Sequence, residues 1–300
     1  MVNIKTAFKS DRLMKAITGL TIVEFNNLLI SFEIIFQNNK KIINKTIKRK
    51  RKEGGGLKHT LNTIEKKLFF ILFFIKCYPT LDLAGFYFGV NRSQPLRWVK
   101  YLLPILEKTL GYEVVLPARQ INSPEEFERM FPEIKDLFID GTERPIQRPK
   151  NSKKQTKYYS GKKKRHTVKN IVFSDENKKI ILLTSTKSGK NHDKKLLDKS
   201  GIMQNIPKHI INWFDTGFIG VNKSNAMMPK KKPKGRNLTL EEKQENKIIS
   251  GIRILSEHAI NGPKRFRIVT DVFRNRITGL EDQVMLIASG LWNYHLRTVT

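Results

Sequence analysis

The sequence predicts an all-α first part followed by a mixed α/β sheet domain. Apolar residues recur at helical spacing over 20–36 and again through 63–110. β-rich runs bounded by turn residues take over beyond residue 120, and one long helical stretch returns at Thr239. The 300 residues suffice for two domains, and 39% hydrophobic residues with 18 Phe suffice for a real core.

In order, LTIVEFNNLLISFEIIF (Leu20 to Phe36) reads as one amphipathic helix, whose apolar stripe from Leu28 to Phe36 is a candidate dimerisation surface. A block of charge ending in Gly54, Gly55 and Gly56 follows. Three glycines do not sit well in a helix, so this is a connector, either a solvated linker or a DNA-facing loop. TIEKKLFFILFFIKCYP opens on a cap at Thr63 and stops at Pro79. Leu81 to Phe88, the turn Gly89-Val90 and a second helix capped by Asn91 or Ser93 make a helix-turn-helix pattern, whose second helix lies in the major groove. Arg92, Gln94, Arg97 and Lys100 would then contact phosphates or bases, with Leu96 and Val99 facing the core. Pro95 falls in the first turn, where a missing N–H is harmless. An ordinary α-hairpin fits the same pattern, and the charge favours DNA.

Beyond this, KDLFIDGTERPIQ reads as a strand ending near Asp140, and RHTVKNIVFSDENKKIILLTST as a hairpin. HDKKLLDKSGI reads as a short helix, KHIINWFDTGFIG as a strand whose last apolar residue is Phe214, and SNAMMPKKKP as one more strand. LTLEEKQENKIISGIRILSEHAI is the longest helical run, capped at Thr239 with Glu241 and Glu242 in its first turn. The expected domains are a helical segment with basic linker (1–53), a helix-turn-helix domain (54–120) and a sheet domain (121–300).

Lys+Arg of 57 against Asp+Glu of 27 leaves a net charge of +30. Such a surplus calls for a polyanionic partner, and phosphate backbones fit because their neutralisation releases condensed counterions. Part of the lysine excess is also what a compositional bias of the genome would give. The lone Cys77 excludes an internal disulfide and a cysteine-based zinc module, and reads as a small buried hydrophobe. The apolar run Leu68 to Ile75 is far short of the ~20 residues of a membrane-spanning helix, so no membrane partner is expected. The N-terminus carries scattered charges and no apolar core of a signal peptide; the expected location is cytoplasmic, nucleoid-associated in a bacterium. Tyr158 and Tyr159 beside Lys162, Lys163, Lys164 and Arg165 offer stacking surfaces next to cations, or else form an exposed loop whose tyrosines pack on the sheet.

Three carboxylates stand out. Asp140 and Asp215 each follow an apolar strand run and precede a glycine-containing turn, DGT and DTG. Acids at the ends of neighbouring strands project into one crevice. Glu257 sits near the end of the long helix, where a plain ion pair with Arg253, worth about 0.2–0.5 kcal/mol, is the competing reading. An oxygen-only donor set suits Mg²⁺ or Mn²⁺ rather than zinc. His166 and His258 read as structural residues.

The order of these residues resembles transposases of the DDE superfamily, specifically the insertion-sequence-five-like group, whose relatives include Harbinger-type transposases. That group's signature is Tyr, two residues, Arg, three residues, Glu, six residues, Lys. Arg253, Glu257 and Lys264 fit the spacing without a gap, and Ser250 stands where Tyr is usual, which removes a phenolic contact. DGT matches the first acid at Asp140, DTGF the second at Asp215, and IQRPKNSKKQTKYYSGKKKRHTVKN the block after the first acid. The likeness runs from about Gly54 to Phe273. It implies a ribonuclease-H-like fold for the sheet domain and a pair of divalent ions held by Asp140, Asp215 and Glu257. It further implies Arg253 and Lys264 at the DNA phosphates, and cleavage and strand transfer without a covalent protein intermediate. The implied partners are double-stranded DNA, as terminal inverted repeats and target, and further copies of the chain. A transposase-derived DNA-binding protein without catalysis is the alternative; a structural RNA-binding protein would explain the charge but not the three acids.

Overall fold

The computed structural model describes residues 4–46, 60–221 and 225–299; the Gly54–Gly56 connector and its basic block lie outside the described residues. The chain divides into two compact units. One comprises Met1–Leu116, Arg265–Asp271 and Gln283–Thr300, the other Pro117–Lys264 and Val272–Asp282.

The first unit is helical. Ile22–Thr46 starts on a reciprocal cap, in which the Thr21 amide donates to Glu24 Oε2 (2.6 Å) and the Glu24 amide to Thr21 Oγ1 (3.1 Å). It buries Phe25, Leu28, Phe32 and Phe36, the stripe expected from its spacing, while Val23, Ile30 and Ile34 remain exposed. Ile64–Cys77, capped by Thr63 as expected, buries every residue from Leu68 to Ile75. Its all-round apolarity therefore marks a central core helix. Among the described residues no single helix is long and apolar enough to cross a membrane.

The helix-turn-helix forms as read. Leu81–Phe88 is capped by Thr80 and closed by Gly89 in the left-handed conformation (φ 64°), and Ser93–Tyr112 follows. Gly85 is required within the first helix, since a Cβ there would stand 2.7 Å from the Val90 carbonyl oxygen. Phe70 locks the motif together, its ring meeting Phe88 and Trp98 edge-on at 5.2 and 4.9 Å. The second helix has no side-chain cap at its N-cap residue, Arg92; Asn91 Oδ1 instead accepts from the Ser93 amide (3.0 Å). Pro104 lies within this helix, an interior position that the periodicity alone argues against.

The second unit holds, among the described residues, a mixed sheet of seven strands: β1 Asp136–Pro145, β2 Tyr159–Ser160, β3 Arg165–Ser174, β4 Ile180–Leu183, β5 Lys187–Ser188, β6 Ile211–Phe214 and β7 Ala226–Met227. The main path runs β2-β3-β1-β6-β7, with β4 and β5 also paired to β3. β1 is antiparallel to β3 and parallel to β6. One face of the sheet carries Leu137, Ile139, Ile171, Phe173 and Phe214 into a core shared with Leu196 and Leu197 of the helix Asp193–Ser200. The long helix Leu240–Lys264 packs on β1, β3 and β6. Helical helix-turn-helix followed by mixed α/β sheet is the architecture expected of a ribonuclease-H-like domain with its DNA-binding module.

Two readings need correction. β1 does not end near Asp140 but continues to Pro145, because β3 pairs with it along the whole length from Phe138 while β6 stops opposite Ile139. The long helix does not end before Gly262-Pro263 but runs through Lys264. Proline so near the C-terminus forfeits a single ladder bond, and its fixed φ is already helical.

Candidate active site

Ile139 is the register partner of Phe214 in the parallel pair β1·β6. The next residues are Asp140 and Asp215, so the two acids follow matched positions on strands about 5 Å apart. Alternation puts them on the same face, which the stacked rings of Phe138 and Trp213, two residues earlier on each strand, also mark. Both carboxylates are half-buried. Each accepts from the amide that follows it, Asp140 Oδ1 from Gly141 N (2.6 Å) and Asp215 Oδ1 from Thr216 N (2.6 Å). Asp215 is still extended (φ −81°, ψ 161°) and caps the short turn Thr216–Phe218, where the chain leaves the sheet. β6 thus stops at its acid, while β1 runs on past Asp140 to Pro145.

The helix Leu240–Lys264 begins at a reciprocal cap between Thr239 and Glu242 (3.2 and 2.9 Å). Ser256, Ala259 and Ile260 are buried, leaving Glu257 exposed at the margin of that packed stripe. Because the helix runs on through Pro263, Lys264 stands two turns after Glu257 on nearly the same stripe, about 10 Å along the axis. Partial burial draws the Lys264 ammonium below the ordinary lysine value; Asp140 pulls the other way, Lys163 adds to the depression, and Glu257 opposes it. One cation thus senses the first and third acids and a lysine of the basic loop together. The Arg253 side chain lies outside the described residues.

Among the described residues no three His, Cys, Asp or Glu side chains are grouped to hold a metal ion. Asp140 and Asp215 follow register partners on neighbouring strands, while Glu257 shares with Asp140 an electrostatic influence on Lys264. The donor chemistry, oxygen throughout, fits a hard divalent cation, and that is the fit this arrangement carries.

Lys162, Lys163 and Lys164 form an exposed turn between β2 and β3, with Lys164 at φ 52°, and exposed Arg165 opens β3. Tyr158 is half-buried beside a cavity of about 400 Å³, and exposed Tyr159 meets the His166 ring edge-on at 5.6 Å. In the other unit, Arg92, Arg97 and Lys100 are exposed and Gln94 is half-buried, with Arg92 3.7 Å from Asp82.

One carboxylate near the acids escaped the sequence reading. Asp193 opens the helix Asp193–Ser200, and its Oδ1 stands 2.6 Å from where a Cβ on Gly141 would lie. In HDKKLL it carries only the signal of a helix's first acidic residue.

Residues 139–293 match the family described as DDE superfamily endonuclease, and residues 59–111 match the helix-turn-helix of DDE superfamily endonuclease. A protein of Microchaete diplosiphon named as a probable transposase for insertion sequence element IS702 is 32% identical over 254 residues, covering 83% of this chain and 86% of that protein. No solved structure matches the chain. A helix-turn-helix ahead of a mixed sheet whose adjoining strands carry paired acids agrees with both matches, and the chain belongs to the DDE superfamily endonucleases.

Proposed function

We propose that the protein is a transposase that binds the terminal inverted repeats of an insertion element and catalyses metal-dependent DNA cleavage and strand transfer. The observation that carries this reading is the Ile139–Phe214 register, which leaves Asp140, within β1, beside Asp215, just past the end of β6. Together with Glu257 they would hold Mg²⁺ or Mn²⁺, two ions by the resemblance. When bound, such ions activate an attacking oxygen and stabilise a leaving one.

Each other residue then has a task. Arg92, Gln94, Arg97 and Lys100 hold the element end through backbone and groove contacts. Tyr158, Tyr159 and the run Lys162 to Arg165 steady DNA beside the acids, and Arg253 and Lys264 neutralise phosphate at the reacting bond. The chemistry is positioning and charge stabilisation, so no serine or cysteine nucleophile is called for. Further copies of the chain would join on paired ends.

One observation favours a second reading, a DNA-binding relative without cleavage: the three acids are not drawn into one cluster. The two readings part on one experiment. Purified protein with Mg²⁺ and DNA carrying the inverted repeats that flank its gene should nick at the repeat ends. Asp140→Asn or Glu257→Gln should reduce nicking about a thousandfold, a magnitude typical of losing one transition-state electrostatic partner, with gel-shift binding unchanged. Normal cutting by the variants removes the site; no cutting by the parent chain, with firm binding, selects the second reading.

A further inference from the structure

The two glycines of DGT and DTG are explained by one side chain on the far face of the sheet. Gly141 lies on β1 between Asp140 and Thr142, and its missing side chain would point to the face of Leu137 and Ile139, opposite to Asp140. A Cβ there would stand 2.6 Å from Asp193 Oδ1 and 2.9 Å from Asp193 Cγ; a Cβ on Gly217 would stand 3.3 Å from Asp193 Oδ2. One carboxylate thus abuts the backbone one residue beyond Asp140 and two residues beyond Asp215.

Asp193 is held there by charge. Lys169 Nζ lies 3.0 Å from Asp193 Oδ1 and 3.7 Å from Glu143 Oε2, and donates to the Asn191 carbonyl at 3.2 Å. Lys169 sits opposite Glu143 in the β1·β3 register, and both side chains are under a tenth exposed. Asp193 Oδ1 is buried without a hydrogen bond, so the lysine contact is an ion pair off the hydrogen-bonding direction. Charges are costly to bury, and removing one partner of such a cluster leaves the others uncompensated.

We propose that Asp193 is a positioning residue. Clamped by Lys169, its carboxylate wedges against Gly141 and Gly217 and sets the separation of the backbone segments that carry Asp140 and Asp215. The inference rests on the reading of those two acids as metal-holding. Groups hydrogen-bonded directly to metal ligands change metal affinity about 10–100-fold when altered, and a wedge that acts through the backbone belongs at the low end of that range.

The test is Mn²⁺ binding to the full chain, followed by loss of the free-ion paramagnetic resonance signal, with thermal melting alongside. Asp193→Asn should weaken Mn²⁺ binding at least tenfold. Gly217→Ala is the second variant and covers the case in which Asp193→Asn fails to fold. Gly217 is exposed and has no positive φ, so the added methyl meets only the Asp193 carboxylate. It should weaken binding several-fold in the parent chain and not at all in an Asp193→Ala background, a coupling that a merely structural role does not produce. Lost binding in Asp140→Asn, with parent-like binding in both Asp193→Asn and Gly217→Ala, overturns the wedge alone. Unchanged binding in Asp140→Asn overturns the metal reading and this inference with it.

Discussion

The helical unit and the sheet unit bury different things. The helical unit is centred on hydrocarbon: Leu68 to Ile75 is buried without a break, and Phe70 meets Phe88 and Trp98 ring to ring. The sheet unit has an apolar core on one face but also encloses charges. Arg144 donates to Asn170 Oδ1 (2.7 Å), Thr186 Oγ1 (3.1 Å) and the Glu281 carbonyl (2.8 Å), and burial pushes its guanidinium down to about 10. Glu143, Lys169 and Asp193 form a second enclosed group. The difference shows two ways of specifying structure. Non-directional burial suffices to bring helices together, whereas directional polar contacts fix where strand ends stand, which is what a site for phosphoryl transfer demands.

Phe70→Ala should destabilise the helical unit by about 4 kcal/mol, since it removes the ring shared by three helices. Arg144→Met should cost the sheet unit about 2 kcal/mol, because the Glu281 carbonyl loses this donor and Asn170 Oδ1 keeps only the Thr186 hydroxyl, even though volume is nearly kept. Denaturant unfolding followed by a probe in each unit measures both. A neutral Arg144→Met would show that the polar network is dispensable and erase the distinction.

Acid tests the enclosed Glu24 carboxylate of the helical unit. Burial would raise the Glu24 carboxyl, but the Thr21 amide, His295 and the Thr298 hydroxyl outweigh it and hold the carboxyl below the usual 4.5. A depressed acid contributes stability that is present above the unfolded value and lost as pH falls through the folded one. The melting temperature should therefore drop below about pH 4.5, and Glu24→Gln should flatten that limb while lowering stability at neutral pH. The smallest effect concerns the start of the long helix. Thr239→Ala should cost about 1 kcal/mol locally, seen as faster hydrogen exchange at the Glu242 and Lys243 amides.

How much was legible follows the same division. Thr63 and Thr239 announce helix starts, and Leu81–Phe88 is read to the residue, because caps and a 3.6-residue period are local features. Asp140, Asp215 and Glu257 could be picked out because their order resembles a known pattern. Their relation could not: that Asp140 and Asp215 adjoin depends on β6 pairing parallel to β1, a contact between residues about seventy positions apart. Asp193 was invisible for the same reason, since no local pattern tells that a helix's first residue will fill the space above two distant glycines.

The amino-acid order by itself determined the two-part architecture, the polyanionic partner and the family, through periodicity, net charge and motif spacing. Tertiary structure alone decided that β1 runs past its acid, that Lys264 rides the Glu257 helix, and that Asp193 underlies both glycine positions. Each of those outcomes is a choice of strand partner or helix end, set by long-range packing that no neighbouring residues encode.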